Sequence, residues 1–185
     1  LRKTFGGWLG QMKPAGKNDE ALQFTPFTAM VREGLAGPVQ VAYCVRTLRG
    51  RHISEADEVF VGLGCRMLSI EHILAEVRFK GNAYGAWMSH DAIDGSINFS
   101  SYRDPHVART LKVFAETPAY LRSVAWTQVD VDRVIIAAAK NDEQPIRPDS
   151  ATATTLQRHL TGITNELRER RAAERRTATP KRIKE

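Results

Sequence analysis

A two-layer α+β sandwich, with a mainly antiparallel sheet covered on one face by helices, is the fold class the sequence predicts, and three observations carry that prediction. Val39 to Leu48 alternates with a period of two, the mark of a half-buried strand. Two further short runs, Ala83 to His90 and Ser96 to Tyr102, flank a turn ending in Asp94-Gly95, a pair that supplies the positive φ a hairpin reversal wants. Around them lie segments whose apolar residues recur at helical spacing. The order strand, helix, hairpin, then several helices suits an α+β domain rather than an alternating βαβ one.

Composition sets the outer limits. A chain of 185 residues can bury a core without disulfides or metals, and 42% apolar with 26% charged residues is ordinary globular usage. Cys44 and Cys65 stand in no C-x-x-C or C-x-x-H spacing, so both are read as buried, inert thiols. No apolar run approaches the roughly 20 residues that span a bilayer, and no h-region follows Leu1-Arg2-Lys3. A soluble chain is expected, cytoplasmic or organellar rather than secreted; the absence of an initiating Met suggests a piece of a longer protein. Between Glu166 and Glu185 eight basic side chains face four glutamates, so +4 of the net charge of +6 lies there. This stretch is read as a solvated helix face. Binding of a nucleic acid is the lesser alternative, because no aromatics are interleaved for stacking bases.

Taken in order, residues 1–36 predict an irregular connector: a short helix carrying Phe5, Trp8, Leu9 and Met12, a polar loop, and a stretch with Phe24, Phe27, Met30 and Val31 interrupted by Pro26. A folded domain is expected over residues 37–176. It opens on the Val39–Leu48 strand, with Val39, Val41, Tyr43 and Val45 on one face. Ser54 and Asp57 approximate a capping box for a long core helix through Val59, Phe60, Leu63, Met67, Ile70, Ile73, Leu74 and Val77, with a kink near Gly62 and Gly64. Trp87, Ile97 and Phe99 are expected core residues of the hairpin. Asp104 suits the N-cap of the next helix, with Pro105 at its first position. That helix carries Val107, Leu111 and Phe114 and is expected to restart at Thr117-Pro118. Thr127 caps a helix burying Val131, Val134, Ile135 and Ala138. Another begins at Ser150, carries Leu156 and Leu160, and ends at Gly162, and Thr164 caps the last. Residues 177–185 predict a basic, disordered tail.

Chemistry-bearing motifs are few. Gly6-Gly7, Gly62-x-Gly64 and Gly81-x-x-x-Gly85 lack the full dinucleotide or P-loop pattern, and no G-x-S-x-G elbow is present. Leu68-Ser69-Ile70-Glu71-His72 lies near the inverted zinc motif His-x-x-Glu-His, but a leucine stands at the first ligand position and cannot donate to zinc. Glu71 and His72 are therefore read as an outer helix face. His52, His72, His90, His106 and His159 include no pair at i, i+3 or i+4 and are read as surface or capping residues. No metal site is expected in this chain.

The stretch V-R-F-K-G-N-A-Y-G-A-W, Val77 to Trp87, closes the long helical run, turns through Gly81 and Asn82 and opens the hairpin. Arg78 and Tyr84 can then face one another across a tight turn, a cation and a phenol able to grip a peptide carbonyl. Two plainer readings stand beside this one: Arg78 as a cation at a helix C-terminus, and Tyr84 as a strand aromatic packing on its neighbour.

V-R-F-K-G-N-A-Y-G-A, the hairpin and the S-Y-R-D-P after it resemble the last domain of the insulinase (pitrilysin) family of zinc metallopeptidases, in its presequence-protease branch. Pro38-Val39-Gln40-Val41-Ala42-Tyr43 resembles that branch's P-x-Q-V-N-Y strand, and Leu160-Thr161-Gly162-Ile163-Thr164 with the charged helix behind it resembles the branch's C-terminal end. The resemblance implies the fourth of four α/β domains in a clamshell enzyme that degrades unstructured peptides. It implies zinc in the full enzyme, bound by an N-terminal half on the same polypeptide or a separate subunit, and not by this chain. Here it implies that Arg78 holds a substrate carbonyl or carboxylate, that Tyr84 stabilises the oxyanion, and that Gly81, Asn82, Ala83 and Gly85 line the peptide's path. Asn82 stands where the branch usually has a second Gly. A mitochondrion-like compartment fits such a family. Homologous halves also serve as inactive subunits, so a non-catalytic scaffold or partner remains the alternative.

Overall fold

The computed structural model describes residues 7, 10, 11, 31–142 and 144–185. Phe5, Trp8, Leu9, Met12, Phe24, Phe27 and Met30, with the N-terminal helix and connector expected around them, lie outside the described residues. The chain divides into Leu1–Gly37 and Pro38–Glu185, and the sheet with its helices belongs to the second unit.

Three strands form an antiparallel sheet in the order β1-β3-β2: β1 Ala42–Arg49, β2 Gly85–Asp91 and β3 Ser96–Asp104. The hairpin joining β2 to β3 turns at Gly95, whose φ is +69°. Register puts Cys44, Ser101 and Ala86 in one row and Arg46, Phe99 and Met88 in another. This side carries the helices: Cys44, Ala86, Phe99 and Ser101 are buried. The expected period of two holds in β1, but its phase is inverted. Tyr43 and Val45 are each 64% exposed, because small Ala42 and Cys44 accept the close approach of the helical layer and the bulkier residues face away. Trp87, expected in the core, shares the open face at 45% exposure.

Helix α1, Glu58–Leu68, runs without a break into a π-helix, Ser69–Phe79, and is not interrupted at Gly62 or Gly64. A π-helix turns once in about 4.4 residues rather than 3.6. Leu68, His72, Ile73 and Val77 therefore face inward, while Ile70 is exposed. His72 is buried and stacks on Tyr120 at 4.3 Å, which corrects the outer-face reading; Glu71, beside it, is exposed and accepts a 2.6 Å bond from the Trp126 indole. The Ser54–Asp57 capping box does not form: Ser54 Oγ bonds His52 Nδ1 at 2.7 Å, and the cap residue Asp57 has φ 61° and no side-chain cap bond.

Helix α2, Val107–Ser123, is continuous through Pro118 instead of restarting there. Thr117 Oγ1 donates to the Val113 carbonyl at 3.0 Å, bonding a carbonyl in the turn the proline disturbs. Asp104 is not the cap. It ends β3 opposite Ala42, and its Oδ1 accepts from His106 N at 2.8 Å, leaving His106 as cap residue. The buried face is Thr110, Val113, Phe114 and Thr117, with Val107 and Leu111 exposed. Helix α3, Gln128–Asp142, is capped by Thr127, whose Oγ1 and N both bond Asp130, and buries Val131 completely. Helix α4, Pro148–Leu160, has no buried residue and exposes Leu156 and Leu160; it ends at Gly162, φ +68°. Thr164 caps α5, Asn165–Arg175, accepting from Leu167 N at 3.2 Å.

The last residues are not a disordered tail. Helix α6, Pro180–Lys184, is capped by Thr179, and Ile183 enters a core of Val59, Phe60, Leu63, Met67, Leu68, Trp126, Val131 and Ala178. Arg182 lies 4.2 Å from the Phe60 ring and 3.0 Å from Asp57, and Lys184 Nζ bonds the Val124 carbonyl. The basic excess thus ties elements together. Arg171 makes bonds of 2.9 and 3.2 Å to buried Glu58, and Arg175 pairs with Asp142. His90 is half-buried, its side chain covered in the same cluster with Nδ1 3.6 Å from Glu58, rather than on the surface. Both cysteines are buried and free, and burial pushes the Cys65 thiol up to about 12.

Candidate functional site

The π-helix ends in a closure built by local residue choice. Ala83 N donates to the Val77 carbonyl at 3.2 Å and Asn82 N to the Arg78 carbonyl at 3.0 Å, a nested pair one residue wider than the bonds of a Schellman motif, as suits a helix that ends in π turns. Asn82 reverses the chain there in the left-handed region, at φ 61°, a conformation Asn accepts more readily than most other non-glycine residues. Gly81 is required by space. A Cβ there would lie 2.5 Å from the Val77 carbonyl oxygen and 2.9 Å from Arg109 Nη1, and that arginine donates to the Lys80 carbonyl at 2.7 Å.

The six residues singled out between Arg78 and Gly85 divide accordingly. Gly81 and Ala83 are buried and shape the turn. Arg78, Asn82 and Tyr84 are exposed and Gly85 is half-buried. Tyr84 N donates to the carbonyls of Tyr102 at 3.1 Å and Arg103 at 3.4 Å, which ties the turn to the end of β3. The Tyr84 ring, 68% exposed, meets the Tyr102 ring edge-on at 5.7 Å, and Tyr102 meets Tyr43 in the same way at 5.2 Å. The guanidinium over Tyr84 is that of Arg103, at 5.8 Å, whereas Arg78 lies over its neighbour Phe79 at 5.5 Å. Tyr43, Tyr102 and Arg103 were not singled out from sequence. The signal was there for Tyr102: period two in β3 puts it opposite in phase to Phe99.

This corner sits on the open face of the sheet. One row there is Val45, Ser100 and Trp87, the next Thr47, Asn98 and Ser89. The chemistry on offer is donation and grip, from the exposed Tyr84 phenol and the exposed Arg78 and Arg103 guanidinia. Glu76, the carboxylate of the adjoining helix turn, is held below its ordinary value by its 2.6 Å bond from Lys80, so it is a poor general base near neutrality. Among the described residues no group of three or more His, Cys, Asp or Glu could hold a metal ion, and zinc does not fit here. No helix among them is long and apolar enough to cross a membrane.

Known proteins resemble this chain in sequence and fold. The family described as the PreP C-terminal domain matches residues 60–182. The mitochondrial presequence protease of Eremothecium gossypii is 33% identical over 135 residues, 72% of this chain and 13% of that protein. The mitochondrial presequence protease of Saccharomyces cerevisiae is 30% identical over the same shares. The chain thus spans 13% of the length of these curated relatives. Two solved structures share the fold: a peptidase M16 inactive domain from Pseudomonas fluorescens, with TM-score 0.61 and 19% identity, covering 80% of this chain and 37% of that one, and the inactive peptidase domain of a candidate zinc protease from Bordetella parapertussis, with TM-score 0.66 and 13% identity, covering 80% and 87%.

Proposed function

The chain belongs to the PreP C-terminal domain family, and from that premise we propose that it is the substrate-gripping C-terminal domain of a zinc-dependent endopeptidase that degrades unstructured peptides in a closed chamber. Zinc would be held by an N-terminal half, on the same polypeptide or a separate subunit, since no described residue group fits it. By itself this chain is expected to be inactive. The names of the relatives point to a mitochondrion-like compartment for the parent enzyme.

In this reading a peptide lies against the open face and turn. Tyr84 donates its phenol O–H to the oxygen of the scissile carbonyl as charge develops there, where a preorganised donor stabilises the transition state more than the ground state. Arg78 holds a second backbone carbonyl or a carboxylate through its fork of donors. Asn82 and Gly85 border the peptide's path, and buried Gly81 and Ala83 hold the turn that presents it. The observation that carries the reading is the exposure of Tyr84 and Arg78 on a turn closed by two backbone bonds.

The test is Tyr84→Phe in the assembled enzyme. Removing one oxyanion donor is expected to lower kcat about tenfold or more, with the substrate's KM little changed. Cleavage at the wild-type rate would overturn the oxyanion role and favour a non-catalytic scaffold.

A further inference from the structure

We propose that Arg103 is a positioning residue for Tyr84, aimed at its ring by a bulge in β3. The proposal rests on the reading of Tyr84 as an oxyanion donor, but its geometric half can be tested apart from it. Among the described residues three non-glycine positions have positive φ: Asp57, Asn82 and Arg103. The first two sit at helix ends, where a left-handed residue has a local use. Arg103, at φ 49°, lies inside a strand, where extended backbone is the default and the left-handed region costs energy.

The ladder shows what this conformation achieves. Ala42 pairs with Asp104 and Cys44 with Ser101, so Tyr102 and Arg103 together oppose Tyr43, the arrangement of a β-bulge. Ile97, Phe99 and Ser101 face the helical layer, and an unbroken period of two would send the Arg103 side chain there as well. The bulge turns it out. Its guanidinium is exposed, 5.8 Å from the Tyr84 ring and 5.6 Å from the Tyr102 ring, and among the described residues it makes no ion pair. Tyr84 is thus held at both ends, by backbone bonds to the carbonyls of Tyr102 and Arg103 and by one cation lying over its ring. A ring held in this way keeps its phenol oxygen in place, and a displacement of about 1 Å at such a group can cost up to about a hundredfold in rate.

Arg103→Gly is the informative variant, because glycine adopts positive φ without strain and keeps the bulge while removing the cation. In the full 185-residue chain labelled with ¹³C-tyrosine, with the Tyr84 signals identified through Tyr84→Phe, Arg103→Gly should shift and broaden the Tyr84 and Tyr102 ring resonances. Helix amide signals and Tm should stay close to wild type. Unmoved Tyr84 ring signals would overturn the proposal. In the assembled enzyme Arg103→Gly should lower kcat by about fivefold or more with KM within about twofold, and Arg103→Lys, which keeps charge without the planar fork, should fall between. A raised KM at unchanged kcat would overturn it, since Arg103 would then bind peptide directly. If Tyr84→Phe leaves cleavage unchanged, the oxyanion reading falls alone, and the ring resonances still decide whether Arg103 places Tyr84.

Discussion

His72 occupies a place where a charge would be costly. Its side chain is buried against Tyr120, with the two rings inclined by 14°, and its Nε2 has no hydrogen-bond partner among the described residues. Burial holds its pKa below the ordinary 6.5; Glu76, the Val113 backbone and Glu116 pull it upward less strongly, and Lys80 pushes it further down. Below about pH 6.5 the unfolded chain therefore takes a proton that the folded chain resists, so the folded state is fully favoured above that pH and loses stability as pH falls toward the folded value. The urea midpoint should drop between pH 7.5 and 5.5, and His72→Phe, which keeps a ring against Tyr120 and removes the titration, should flatten that drop. An equal pH dependence in the variant would rule out His72 as a source.

At the scale of elements, what the sequence concealed had a physical cause in each case. Runs of apolar residues from Val59 to Val77 announced a long helix, but a change from α to π after Leu68 alters which residues face inward, and no 3.6-residue pattern reveals it. The alternation in β1 was legible and its phase was not, because phase depends on which face the helices choose. Asn82 and Gly95 were legible as turn residues and both have positive φ, which the Asp94-Gly95 pair foretold for the glycine. Helix α6 was hidden by its composition: Pro-Lys-Arg-Ile-Lys carries one apolar residue, too few for a periodicity. Its anchor is tertiary, with Ile183 8% exposed in the core and its Cγ2 3.2 Å from where a Cβ on Gly64 would stand. Ile183→Ala should cost about 2 to 4 kcal/mol, while Lys181→Ala, on the exposed side, should cost under about 0.5 kcal/mol. Urea titration of both variants checks this; a silent Ile183→Ala would mean that the terminal helix contributes nothing to the fold.

For the domain as a whole, the sheet has one face closed and one open, and the open one is unlike an ordinary water-facing sheet. Tyr43, Val45, Tyr84 and Trp87 are exposed there together, and apolar groups gathered in this way mark contact surfaces rather than stray exposure. Under the proposed function this face would receive peptide on aromatic faces for side chains, with serine and asparagine hydrogen-bonding groups between them and a cation–phenol corner at one end. The layout makes a claim that needs no catalysis. Titrating an unstructured peptide into the full chain should move the Trp87 indole resonance, and with it the signals of Val45, Ser100 and Tyr102. Trp126, buried and bonded to Glu71, should stay still and serve as the internal control. Trp87→Ser should abolish the response and, because the side chain is exposed, change unfolding free energy by no more than about 0.5 kcal/mol. If the moving signals lie instead on α4 around Leu156 and Leu160, peptide binds the helical layer and the open sheet face is not the receiving wall.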